Sequence, residues 1–159
     1  MPTNTEVKRI QDQLRRSHEG PAWHGPALDE ILDGVDARMA AARPLSEAHN
    51  IWELVLHVAG WEIAALRGLE GRPAVLSDQE NFPETPDLSE AAWQQARQTL
   101  QSSHHRLQEA IGRLSDDNLT EMVKGLQSKY SFYGLLHGVV QHNLYHAGQM
   151  AVMKKAVRL

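Results

Sequence analysis

The stretch SFYGLLHGVVQHNLYHAGQMAVMKKAV, residues 131–157, is the longest uninterrupted helical pattern in the chain. Leu135, Val139, His142, His146, Met150, Met153 and Val157 recur at spacings of three and four, the repeat of one helix face. No proline interrupts the run, and the spacing predicts one long helix from Ser131 to Val157. Two histidines continue its apolar stripe. Residues four apart on a helix have Cβ atoms about 5–6 Å apart, so the imidazoles of His142 and His146 can reach one metal ion. The competing reading is a pair of hydrogen-bonded core or rim histidines. Each would then need its own buried partner, since an unpaired buried polar group costs about 1–3 kcal/mol. The pair alone does not choose between the two.

Upstream, the periodicity is helical throughout. Val7, Ile10 and Leu14 mark a first helix from Thr5 to about His18, ended by Gly20-Pro21. A short helix begins at Ala27, with Pro26 placed for a first turn. Residues 34–46 read as mostly irregular. A second long helix is expected from Glu47 to Leu69, with Ser46 as N-cap and Gly71 and Pro73 as stop signals. Residues 71–87, with three prolines, read as a long connection. Asp87-Leu88-Ser89-Glu90 resembles a capping box, opening a third long helix to Leu114 on a stripe of Ala92, Ala96, Leu100, Leu107 and Ile111. Ser115-Asp116-Asp117-Asn118 breaks it. No alternating strand pattern exceeds four or five residues. Four long helices in 159 residues predict an all-α fold, a single four-helix-bundle domain over 1–159, with long crossover connections.

Composition narrows the chemistry. There is no cysteine, which removes disulfides, thiolate metal sites and a cysteine nucleophile. A formal net charge of −4 without a basic run gives no nucleic-acid surface. No apolar stretch reaches the roughly 18–20 residues of a membrane helix, and the first residues lack the regions of a signal peptide. A cytoplasmic protein is the expectation. Any metal must use His, Asp, Glu or backbone. Of the nine histidines, His18, His24, His104 and His105 fall in polar or loop-like surroundings, and His49 and His137 are intermediate. His57 lies in the apolar run Trp52–Trp61, on the face of Leu54, Val58 and Trp61, where it can join His142 and His146 across a bundle core. Three imidazoles suit zinc, nickel, copper or iron and leave coordination positions open, as in catalytic sites.

Glu53, one turn before His57, is a candidate catalytic residue: a general base, a fourth ligand or an acceptor for an imidazole N–H. The alternative is a salt bridge within the helix or a solvated rim. Asn143 and Gln149 are turned away from the two histidines by helical spacing. The metalloprotease pattern needs Glu after the first His, and here Asn143 stands there. Di-iron bundles need Glu three residues before each His, and here Val139 and Asn143 stand there. One ion, not two, is expected. Trp23, Trp52, Trp61 and Trp93 are many to bury in one small bundle, so Trp93, on the outer face of the third helix, is expected at an interface between two copies.

Three segments together resemble the DinB-like (DinB/YfiT) superfamily of metalloenzymes: Trp23–Leu28, His49–Trp61 and His142–Gln149. The resemblance runs over nearly the whole chain in order. It implies a bundle of up-down-down-up order and one divalent ion, nickel or zinc, on the residues matching His57, His142 and His146. It implies a metal-dependent transferase joining a low-molecular-weight thiol to an electrophile, and a homodimer. A metal-dependent hydrolase and a non-catalytic metal-binding stress-response protein remain the alternatives.

Overall fold

The computed structural model describes residues 4–125 and 129–157, and these are all helix, turn and loop. Four helices are long: α1 (Thr5–Glu19), α4 (Ile51–Leu69), α6 (Glu90–Gly112) and α7 (Phe132–Val157). Three are short: α2 (Leu28–Leu32), α3 (Ala37–Ala41) and α5 (Asp78–Asn81). A 3-10 turn, Asp116–Thr120, follows α6.

Pairings along the axis set the order. Gln11 bonds Gln108 while His18 stacks on His104, so α1 and α6 are antiparallel. Trp52 packs on Trp93 and Glu62 bonds Ser103, so α4 and α6 are parallel. A Cβ on Gly68 would meet Leu135, and His57 faces His142 and His146, so α4 and α7 are antiparallel. The four long helices thus run up, down, down, up, and the parallel α4–α6 pair requires the crossover through residues 70–89.

The chemistry of the caps corrects several sequence boundaries. Ser46 does not cap α4. Asn50 does: its side chain accepts from the Glu53 amide at 2.8 Å, and Glu53 accepts from the Asn50 amide at 3.2 Å. The capping box read at Asp87–Glu90 does not form, because Ser89 caps α6 and Glu90 turns instead to the Ala37 amide at 2.8 Å. That contact and the Asp36 cap hold α3 in a segment that reads as irregular. Its first turn rests on a local cap and on Glu90, 53 residues away in sequence, neither of which periodicity registers.

The apolar interior has two large parts and a small third one of Ala74, Val123 and Phe132. One large part gathers Leu28, Ile31, Trp52, Val55, Leu100 and Met150; the other gathers Val7, Ile10, Leu14, Leu107, Ile111 and Leu136. Between these two lies a buried polar layer: His18, Glu62, Ser103, His104 and Asn143. Trp93 is not at the surface as expected. It is fully buried against Trp52, and its indole N–H donates to the Val35 carbonyl at 2.8 Å. The exposed tryptophan is Trp23.

Candidate metal centre

The antiparallel packing of α4 on α7 brings His57, His142 and His146 together. Their ring centroids stand 4.4–4.9 Å apart, and one nitrogen from each lies within 4.8 Å of the others. His57 Nε2 and His142 Nε2 are 3.0 Å apart. Donors about 2.0–2.1 Å from a metal ion stand roughly 2.8–4.2 Å from each other, so this spacing fits a shared ion.

Hydrogen bonds aim the rings. His57 Nδ1 donates to the Asn81 carbonyl at 2.9 Å, and His146 Nδ1 donates to Gln149 Oε1 at 2.6 Å. Each bond puts the ring's proton on Nδ1 and leaves Nε2 as a lone pair, the usual way a ligand imidazole is oriented. Asn81 is held in turn by Trp61, whose indole N–H donates to its side chain at 3.0 Å. Helix α5 is pinned to α4 by Arg67–Glu80 at 2.8 Å. Phe82 stacks on His57 with centroids 4.3 Å apart, and His49 stacks on Phe82 at 3.8 Å. Of the two residues that spacing turned away, Gln149 reaches back across its own turn to His146, and Asn143 does face elsewhere.

Glu53 does not share this group. Its carboxylate is occupied by Arg43, by His49 Nδ1 at 3.0 Å and by its capping role. Burial alone would raise its carboxyl; His49, the Asn50 amide and Arg43 outweigh that and hold it low.

Burial, then the neighbouring imidazoles, push His142 down to about 4 from 6.5, and burial also lowers His57 and His146. All three are neutral at pH 7, the form a metal requires. The same shifts set acid sensitivity. Between 6.5 and about 4 the unfolded chain binds protons that the folded chain excludes at His142, so stability falls as pH falls. The contribution is complete above about 6.5 and gone by about 4. Urea midpoints of the metal-free chain are expected to decline across this window. A midpoint flat from pH 7 to pH 5 contradicts the burial of neutral rings.

The family model described as the DinB superfamily matches residues 22–150. The chain belongs to the DinB superfamily. Comparison with curated proteins and with solved structures gave no match. In this DinB-superfamily chain the three histidines fit one divalent metal ion, with no carboxylate in their group and coordination positions to spare.

A second group of donors was missed in the sequence: His18, Glu62 and His104. The signals were present. His18 is four residues past Leu14 on the α1 stripe, Ser103 and His104 fill the gap between Leu100 and Leu107, and Glu62 interrupts the most apolar helix.

Proposed function

We propose that this protein is a metal-dependent transferase that joins a low-molecular-weight thiol to a small apolar electrophile. Family membership and the three-histidine centre support metal dependence. The observation that carries the substrate reading is a cavity of about 340 Å³ lined by Trp61, Tyr130, Gly134, Leu135, Gly138, Val139 and His142. Gly134, Gly138 and His142 follow at four-residue intervals, so the cavity floor is bare helix backbone leading to a ligand imidazole. A Cβ on Gly138 would meet nothing within 4 Å. An apolar electrophile bound there would sit beside the ion, which when bound makes a thiol lose its proton readily. The thiolate is the nucleophile, and the chain has no cysteine to supply it. His57 and His146 would hold the ion through locked tautomers, and Trp61 and Tyr130 would line the electrophile's side of the pocket.

Consumption of cellular thiols with a model aryl halide, using nickel- or zinc-loaded protein, tests this. Turnover is expected with the loaded wild type. Gly138→Leu, which fills the floor, should raise KM for the electrophile about tenfold or more with metal content unchanged; about 1–3 kcal/mol per methylene in an apolar pocket is the usual scale. Thiol-independent ester cleavage at a comparable rate would favour a hydrolase instead.

We also propose a homodimer, on a basis other than Trp93. Tyr145 and Val152 lie two turns apart on the outer face of α7 and are 65% and 56% exposed. A symmetric contact is the commonest assembly of soluble chains. Light scattering is expected to give about twice 17.8 kDa; a mass near one chain rejects the dimer.

A further inference from the structure

We infer that the polar layer at the centre of the bundle is a second metal site, closed and structural, taking a divalent first-row transition ion on His18, Glu62 and His104. It is independent of the reading of the three-histidine centre and adds a second ion to the single one the sequence suggests. The three side chains come from three of the long helices, α1, α4 and α6. Asn143 of the fourth reaches the same point, with its Nδ2 3.1 Å from His18 Nε2 and 2.9 Å from Glu62 Oε1.

The donors converge: His18 Nε2 is 2.7 Å from Glu62 Oε1, and His104 Nδ1 is 3.9 Å from the same oxygen. Two donors of one ion stand roughly 2.8–4.2 Å apart, so the first contact need open only slightly and the second already fits. His18 and His104 stack face to face with centroids 3.8 Å apart, so the ring planes must tilt towards each other for both lone pairs to meet one ion.

A proton shared by His18 and Glu62 would explain the 2.7 Å contact alone. It would leave His104 unexplained. That ring is 6% exposed, and neither of its nitrogens has a hydrogen-bond partner. Its nearest carboxylate oxygens are Glu19 Oε1 at 3.5 Å and Glu62 Oε1 at 3.9 Å. The Asn143 Oδ1 is also without a partner. One cation thus satisfies His104 and balances the buried Glu62 carboxylate. Two imidazoles and a carboxylate are a transition-metal set rather than a calcium or magnesium one.

The test uses zinc and the His142→Ala/His146→Ala double variant, which leaves the layer untouched. After chelator stripping and zinc titration, this variant is expected to retain one equivalent while wild type binds two. X-ray absorption at the zinc edge should count two imidazoles and at least one oxygen around the retained ion. Its melting temperature should rise by roughly 5–10 °C at free zinc a hundredfold above the dissociation constant. Adding His104→Gln should abolish the retained equivalent. No zinc retained by the double variant, or a retained zinc with other than two imidazoles, overturns the inference without any substitution in the layer.

Discussion

Glu62→Ala is expected to cost the metal-free chain about 3–5 kcal/mol, the penalty for removing one partner of a buried charged network. Glu62 is fully buried, and its carboxylate accepts from Ser103 at 2.6 Å and Asn143 at 2.9 Å beside the His18 contact. Without it, an amide and an imidazole lose this carboxylate at the point where all four long helices meet, and the Ser103 hydroxyl is left with the Leu100 carbonyl at 2.8 Å. A domain's whole stability is about 5–15 kcal/mol, so this loss leaves little margin. Chemical unfolding in the presence of chelator measures it, and a loss below 1 kcal/mol contradicts the role. Burial alone would raise the Glu62 carboxyl; His18, Ser103 and His104 outweigh that and hold it low. Its stabilisation is therefore present above the ordinary 4.5 and lost as pH falls below it.

The same layer marks how far the sequence could be read. The long helices, their apolar stripes and the three histidines of the outer centre were legible because each stripe repeats at the helix period. The polar layer was not, although it lies on the same stripes. A lone His or Glu on a helix face carries no sign of what it will meet, and only the docking of α1, α4, α6 and α7 brings His18, Glu62, His104 and Asn143 to one point. Trp93 failed for a related reason. Its placement depends on the Val35 carbonyl, 58 residues away in sequence, and α3, which shapes that pocket, rests on caps from Asp36 and Glu90 rather than on periodicity. Gln149 departs from the spacing because its side chain is long enough to reach back one turn to His146.

The His142→Ala/His146→Ala variant is expected to lose the outer ion altogether, with zinc content falling by one equivalent and thiol turnover falling to background. Two of three ligands are gone, and His57 alone holds a divalent ion weakly. Gln149→Ala leaves all three ligands in place but frees the His146 ring, and should weaken the same ion about 10–100-fold, the usual effect of removing a partner that orients a ligand imidazole. Equal affinity in Gln149→Ala and wild type would mean that the 2.6 Å contact does not orient His146.

Anomalous diffraction at the zinc edge from crystals of zinc-loaded protein locates the ion itself. The expected map has a peak about 2.0–2.1 Å from one nitrogen each of His57, His142 and His146, and none at Glu53. A crystal of zinc-loaded protein with no peak among those three imidazoles would contradict the metal centre.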